Sequence, residues 1–308
     1  MDAAQATALL SSAVIASVPL MQAGLGELVT EKSGVLNLGV EGMILVGAVS
    51  GYALAVHSGH PWLGLVGAVC AGGAMAALFA FLTLTLQANQ VASGLALTLF
   101  GIGLSAYLGK PYTSALLPSA VAAWPIPGLS ELPIIGKALF SNTPVVYLSV
   151  ALFFAVSWFL YRTRTGLALR AIGESPEVAR DLGLPVLLVR YLATMFGGAM
   201  AGLAGGYYAV VYLRLWQEQM TSGLGWIALG LVVFATWRPW RLLAGALLFG
   251  SVMAAQFYAQ TVGLPIPTPL LATMPYLATV VVLVFISRNP RAIKLHAPGS
   301  LGKTFFAG

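Results

Sequence analysis

Residues 31–47 have the sequence EKSGVLNLGVEGMILVG, and this stretch decides the fold class. It begins with the charged pair Glu31 and Lys32 and continues as an apolar run that contains Asn37 and Glu41. A carboxylate within a membrane helix is costly unless it meets polar groups, a cation or water, so it marks a site of structural or functional importance. The stretch therefore predicts the charged end of one membrane helix and the start of the next.

The composition of the whole chain supports a membrane protein. The 308 residues are 59% hydrophobic and only 8% charged, whereas ordinary soluble domains are about 25% charged. So few charges cannot cover the surface of a soluble protein, so much of the surface must face lipid. The single cysteine, Cys70, excludes an intrachain disulfide, and no cluster of histidine, cysteine and carboxylate residues has the spacing of a zinc site.

Apolar runs long enough to cross about 30 Å of hydrocarbon recur along the chain. Because backbone polar groups in lipid must pair within their own segment, these runs predict helices. We predict a single all-α transmembrane domain over residues 1–308, a bundle of about nine helices with eight or ten as alternatives. The predicted spans are 6–25, 34–56, 62–86, 91–108, 144–161, 191–213, 222–237, 242–262 and 270–287.

The positions of lysine and arginine predict the orientation of the bundle. With an odd number of spans, twelve of the 15 cations fall on one side of the membrane. These cations are Lys32, Arg162, Arg164, Arg170, Arg180, Arg190, Arg238, Arg241, Arg288, Arg291, Lys294 and Lys303. The positive-inside rule makes that side cytoplasmic, so the N-terminus is expected outside and the C-terminus in the cytoplasm. No nucleic-acid partner is expected.

Two connections carry further signals. The outer loop, residues 109–143, is rich in proline and apolar residues, and either a packed lid or a docking surface for an external protein fits it. In the cytoplasmic loop, residues 162–190, Ser175 and Pro176 are suited to begin a helix and Gly183 to end it in a left-handed conformation. Such a short helix fits insertion into a cleft of a cytoplasmic partner, and the alternative is a solvated basic loop that only sets topology.

The chain carries no recognisable enzyme motif. The triplet Gly302, Lys303, Thr304 resembles the end of a phosphate-binding loop, but that loop needs glycine five residues earlier, where Ala297 stands. No nucleophile elbow, kinase set or metalloprotease motif occurs either. We therefore predict that this chain is not an enzyme.

Four stretches resemble the permease subunits of ATP-driven (ABC) importers. They are TEKSGVLNLGVEGMILVGA (30–48), RAIGESPEVARDLGLPV (170–186), SGLGWIALGLVVFATWRPWRLLAGALLFG (222–250) and MPYLATVVVL (274–283). The resemblance covers nearly the whole chain. It is to the branch that contains branched-chain amino acid, ribose and nucleoside permeases, and most of all to the shorter permease of bacterial nucleoside importers.

The resemblance implies a set of partners in the bacterial cytoplasmic membrane. In that family two permease subunits, here expected to be this chain and a longer paralogue, form the pathway. Cytoplasmic ABC ATPases bind ATP and Mg²⁺, so no cofactor is expected in this chain, and an extracytoplasmic binding protein delivers the solute. The short helix matches the family's coupling helix, which implies that the ATPase is contacted by Glu174, Ser175, Pro176, Arg180, Asp181 and Gly183.

Asn37 and Glu41 are four residues apart and would share one face of a helix. In a structural interpretation they bond unpaired backbone groups where the first two spans bend, with Lys32 as a further partner for Glu41. In a functional interpretation they line the cytoplasmic half of the pathway. Because Glu41 is expected only about 10 Å above Lys32, below the bilayer middle, the sequence favours the structural interpretation.

The expected cargo is a nucleoside, with ribose or another simple sugar as the alternative. A standalone ion-coupled transporter is the alternative of another class, but it would usually place ionisable residues near the midplane. A nucleoside offers a flat base for stacking and hydroxyls for hydrogen bonding. The candidate substrate-facing residues are Trp226, near the outer end of one predicted span, and Gln256 and Tyr258, within another. For each of them the sequence favours ordinary packing or interface anchoring over contact with the substrate.

Overall fold

The computed structural model describes residues 3–133, 135–262, 267, 270–271, 273–287 and 296–305, and this part of the chain is helical without any strand. Its helices are α1 (Ala3–Lys32), α2 (Val40–Ser58), α3 (Pro61–Ala80), α4 (Gln90–Gly109), α5 (Ile135–Phe140), α6 (Pro144–Arg162), α7 (Arg164–Glu174), α8 (Pro176–Asp181), α9 (Val186–Gly206), α10 (Leu224–Phe234), α11 (Pro239–Thr261) and α12 (Met274–Ser287). Short π-helical turns, Phe81–Thr85 and Tyr207–Tyr212, extend α3 and α9.

Seven helices in the described ranges are long and apolar enough to cross a membrane, namely α1, α2, α3, α4, α6, α9 and α11 with their extensions. They match seven of the nine predicted spans. The other two predicted spans, 222–237 and 270–287, contain α10 with 11 residues and α12 with 14. Both helices are shorter than the roughly 20 residues that a span needs. A hydropathy window detects an apolar run but cannot tell a half-length helix from a complete span.

The two ends of the bundle differ in charge. At one end, which we call the basic end, a single cavity is lined by five cations, Lys32, Arg162, Arg170, Arg238 and Arg241. At the opposite end the start of α1 meets the end of α11, where Leu9 and Thr261 line a cavity of about 220 Å³. The predicted tail cations Arg288, Arg291 and Lys294 lie outside the described residues.

The core is formed by α1, α2, α3, α9 and α11, which make the most extensive contacts with one another. Glycine allows the closest of these approaches. A Cβ atom on Gly47 of α2 would lie 2.5 Å from the Cα of Gly202 on α9, so the two backbones are in direct contact. Small residues allow membrane helices to approach in this way. Gly47 and Gly202 therefore serve packing within the bundle.

Replacing Gly47 with alanine is expected to lower the free energy of unfolding by about 1–3 kcal/mol, because the new methyl group has only backbone atoms to displace. The matched control is Gly103→Ala in α4, where a Cβ atom meets nothing within 4 Å. Alanine improves helix propensity at both positions, so the difference between the variants isolates the steric effect. Thermal unfolding of the purified protein in detergent measures it, and equal unfolding temperatures would contradict the expected close contact.

The outer loop folds back onto the bundle. The Tyr52 hydroxyl donates to the Ala115 carbonyl oxygen at 2.7 Å, and the Ser119 hydroxyl donates to the Gly59 carbonyl oxygen at 2.7 Å. Leu116 nevertheless remains 86% exposed, and Trp124 is exposed as well. The loop therefore combines the packing of a lid with an exposed apolar surface.

Candidate functional site

Helix α10 begins inside the bundle. Its 11 residues rise about 16 Å, which is half the thickness of the hydrocarbon core. Just after its C-terminus, the Trp237 indole N–H donates to Oε2 of Glu31 in the last turn of α1, so this end of α10 lies towards the basic end. Its first residue, Leu224, therefore lies near the middle of the bundle.

The carboxylate of Glu41 caps the N-terminus of α10. Its Oε1 atom accepts hydrogen bonds from the Thr221 hydroxyl at 2.5 Å and the Gly223 backbone N–H at 3.1 Å, and its Oε2 atom accepts one from the Gly225 N–H at 2.5 Å. The first backbone N–H groups of a helix lack partners within the helix and carry partial positive charge. A buried carboxylate satisfies both needs, so Glu41 is stabilised at this depth without a cation.

The chain that leads into α10 is not helical. Residues between the π-turn ending at Tyr212 and Leu224 include Arg214, Gln219 and Ser222 with positive φ angles. Non-helical backbone at membrane depth is tolerated only where protein buries it or where it lines a water-filled cavity. The break and the half-length helix together form the most unusual part of the bundle.

Glu41 is buried inside the bundle. Gly42 packs against Thr98, which is eight residues into α4 and therefore about 12 Å from the start of that helix at Gln90. Glu41 stands in the first turn of α2, which begins only at Val40, and its depth relative to the bilayer stays a prediction. Residues 33–39, which precede α2, are not helical, and an extended chain rises further per residue than a helix does.

The predicted helical face shared by Asn37 and Glu41 does not exist. Asn37 precedes α2, and its side-chain Oδ1 accepts a hydrogen bond from the Gly39 N–H at 2.9 Å. Its own N–H donates to Oε1 of Glu27 at 3.2 Å, so Asn37 holds the turn that leads into α2. The prediction of a contact between Lys32 and Glu41 is also wrong, because the Lys32 ammonium donates to the His296 carbonyl oxygen at 2.9 Å.

The buried carboxylates at the end of α1 were not predicted from the sequence. Glu27 and Glu31 are both fully buried, and they bond the Asn37 N–H and the Trp237 indole respectively. The signal was present, since two acidic residues four apart in an apolar helix share one face. No group of three or more metal-ligating side chains occurs among the residues described.

The three predicted substrate-facing residues are not brought together. Trp226 lies in the first turn of α10 and is 41% exposed, so its predicted place near the outer end of a span is wrong. Tyr258 lines the small cavity at the end opposite the basic end. Gln256 is partly exposed on α11 and does not line that cavity. From the rises of α10 and α11, Trp226 and Tyr258 are separated by about 12 Å along the bundle axis.

The predicted short helix of the connection exists as α8, Pro176–Asp181. Pro176 occupies its first position, and Gly183 has φ +82°, as predicted. The Gly183 N–H donates to the Arg180 carbonyl oxygen and the Leu184 N–H to that of Ala179, which closes the C-terminus. Ser175 stands at the N-cap without a capping side-chain bond, because its hydroxyl lies 3.4 Å from the Glu177 carboxylate and donates to it.

One side of α8 is an exposed apolar surface. Val178 is 57% exposed and Leu182, just past the helix, is 76% exposed. Arg180 and Asp181 form an exposed ion pair beside them at 3.8 Å. On the other side Ala179 is buried. Glu174 ends α7, and its carboxylate accepts a hydrogen bond from the Gly299 N–H at 3.4 Å.

The sequence profile of a known family matches most of the chain. The family is described as "Branched-chain amino acid transport system / permease component", and the match covers residues 9–287. The chain belongs to this permease family. The family resemblance stated from the four sequence stretches is thereby confirmed, and a permease component is not itself catalytic.

Three relatives are similar to the permease over nearly their full lengths. It is 40% identical to a protein named as a candidate glucose ABC transporter permease of Haloferax volcanii, over 97% of this chain and 98% of the relative. It is 33% identical to the guanosine ABC transporter permease protein of Bacillus subtilis, over 94% and 95%. It is 29% identical to a nucleoside ABC transporter permease protein of Lactococcus lactis, over 89% and 90%. The permease is therefore a multi-pass membrane protein related to sugar and nucleoside permeases.

The 296–305 segment of the permease fastens the connection that carries α8. The Ser300 hydroxyl donates to the Gly173 carbonyl oxygen at 2.7 Å, and Phe305 packs with Ile172 and Ala179 in a small apolar cluster. Arg190 donates from Nη2 to the Ser300 hydroxyl at 3.0 Å and is fully buried. The prediction of Arg190 as a loop cation is wrong, because α9 has already begun at Val186 and carries Arg190 into the bundle.

Proposed function

We propose that this chain is the membrane-spanning permease subunit of an ABC importer in the bacterial cytoplasmic membrane, and that it passes nucleosides. The observation that carries this proposal is the family match together with the exposed apolar surface on α8. The basic end is then cytoplasmic by the positive-inside rule, which places the N-terminus outside and the C-terminus inside. In this arrangement α10 and α12 complete a bundle of about nine membrane-inserted helices.

The α8 helix is proposed to dock into a separate ATPase subunit. Val178 and Leu182 supply an apolar contact that water would otherwise cover, and Glu174, Ser175, Pro176, Arg180, Asp181 and Gly183 surround or shape it. Such a mixture of a small apolar centre and a polar rim is typical of protein interfaces. ATP and Mg²⁺ would bind to that ATPase subunit, and hydrolysis of the ATP would supply the energy for transport.

The break before α10 is proposed to form part of the translocation pathway. In secondary transporters, solute sites are typically built from broken helices whose ends lie at membrane depth, and we propose the same construction here. Glu41 is given a positioning role, because all three of its hydrogen bonds hold residues 221–225. Asn37 is given a structural role in the turn before α2. A second permease subunit, expected to be a longer paralogue, would close the pathway, and a binding protein would dock on the outer loop.

The proposed cargo rests on a residue next to the break before α10. Trp226 offers a partly exposed indole beside polar backbone, and an indole can stack on a nucleobase. The relationship to guanosine and nucleoside permeases supports this choice. A simple sugar is the second candidate, and the 40% identity to the glucose-named relative favours it. Tyr258 lines a separate small cavity that neither Trp226 nor Gln256 lines, so it is given no part in this proposed contact.

Uptake of labelled guanosine is expected to disappear when the gene is deleted or when cells are depleted of ATP, because the driving force comes from the partner ATPase. Excess ribose or glucose is expected not to compete. Loss of glucose or ribose uptake instead would support an ATP-driven importer whose cargo is a sugar. Guanosine uptake that needs this gene but persists on an ion gradient without ATP would contradict the proposed function.

A further inference from the structure

The basic end holds a cavity of about 900 Å³ that neither α8 nor the break before α10 explains. Five cations and one carboxylate line it, namely Lys32, Arg162, Arg170, Arg238, Arg241 and Glu174. It is lined by residues from the end of α6, the start of α11 and the second half of α7. A cavity with this excess of positive charge attracts an anion.

The five cations of this cavity outnumber its one lining carboxylate, Glu174. Among the described residues, none of these cations forms an ion pair with a separation of 4 Å or less. The ion pair that does form at this distance joins Arg180 and Asp181, which lie outside the cavity. The Nε atom of Arg170 is buried and has no hydrogen-bond partner, and the same holds for the hydroxyl of Ser157. These two buried atoms are out of reach of a ligand, but Arg162, Arg238 and Arg241 line the cavity with exposed guanidinium groups, which are donors that a bound anion would meet.

The same cavity has an apolar border. Trp158 on α6 is 63% exposed and Trp240 on α11 is 60% exposed. Phe154 joins them, and its ring centroid lies 5.8 Å from that of Trp240. Aromatic side chains of this kind gather at the boundary between membrane and water. A small soluble anion would leave these aromatic side chains exposed, whereas the acyl chains of a lipid anion would cover them.

We propose that this cavity binds the headgroup of an anionic phospholipid. The phosphate would lie among Arg170, Arg241 and Arg162, and the acyl chains would run along Trp158 and Trp240 towards the hydrocarbon. Basic pockets between membrane helices bind lipid headgroups through this combination of charge and depth. This proposal depends on the membrane location of the chain and not on its cargo. It can therefore be tested independently of the proposed transport of nucleosides.

The first test is lipid retention by the purified permease. Wild-type protein in mixed micelles is expected to retain phosphatidylglycerol at least about tenfold better than phosphatidylcholine, and the double variant Arg170→Gln, Arg241→Gln to lose that preference. The matched control is Arg164→Gln, a cation at the same end that does not line the cavity. Native mass spectrometry counts the bound lipids. Equal retention of both lipids by the wild type would overturn the proposal.

A second test needs no change in charge and therefore avoids variants that fail to fold. Brominated phosphatidylglycerol is expected to quench tryptophan fluorescence more strongly than brominated phosphatidylcholine, and the difference to vanish in Trp158→Phe, Trp240→Phe. Added glycerol 3-phosphate is expected not to reverse the quenching. Reversal by glycerol 3-phosphate would show that a free phosphate occupies the cavity, and quenching that ignores the headgroup would show a nonspecific lipid contact. Either result would overturn the proposal.

Discussion

Replacing Glu41 with glutamine is expected to lower the free energy of unfolding by about 1–3 kcal/mol and to reduce transport in parallel. Glutamine has one carbonyl oxygen where the carboxylate has two, so at least one of the N–H groups of Gly223 and Gly225 loses its acceptor. An unpaired buried donor carries a penalty of this size. Thermal unfolding of the purified permease and uptake in cells measure the two effects.

The control for this variant is Glu218→Gln. Glu218 lies in the same non-helical approach to α10, but it is exposed and is expected to tolerate the loss of charge. If transport by Glu41→Gln falls while stability and assembly with partners are unchanged, the positioning role is wrong. The carboxylate would then act in the pathway itself.

Introducing aspartate at Val178 and Leu182 together is expected to abolish ATP-driven uptake while the permease still folds. Both side chains are exposed in the isolated chain, so charges there leave folding nearly unchanged. In a docked complex they would be buried, and a buried unpaired charge is destabilising by about 3–5 kcal/mol. The affinity for the ATPase should therefore fall by about 100-fold or more.

Co-purification of the ATPase with the tagged permease measures this loss. Leu116→Asp provides the control, because Leu116 is at least as exposed but belongs to the outer loop at the other end of the bundle. Undiminished capture of the ATPase by the Val178→Asp, Leu182→Asp variant would remove α8 as the docking element. Equal loss in the control would indicate general misfolding.

The α8 helix was predictable because its determinants are local. Pro176 and Gly183 set its two ends within eight residues, and neither depends on a distant partner. The long apolar helices were predictable for a similar reason, since hydropathy over about 20 residues is a local property. The resemblance to permeases added the expected role of α8, which local physics had left open between a docking helix and a plain basic loop.

The environment of Glu41 was not predictable in this way. Its partners Thr221 and Gly225 are 180 and 184 residues away along the chain, and no local pattern identifies them. The apolar run 222–237 has the hydropathy of a span, although only 11 of its residues form a helix. The burial of Arg190 was not predictable for the same reason. Its hydrogen-bond partners, Ser33 and Ser300, lie 157 residues before it and 110 residues after it in the sequence.

The attachment of the 296–305 segment has a consequence for biosynthesis. Ser300 and Gly173 are 127 residues apart, so a ribosome makes the α7–α8 connection long before the segment that holds it. Contacts between such distant residues form late in folding, because a long loop must close first. We therefore expect a nascent chain whose later helices are still missing to hold α8 loosely, and the proposed docking surface to become rigid only in the completed bundle.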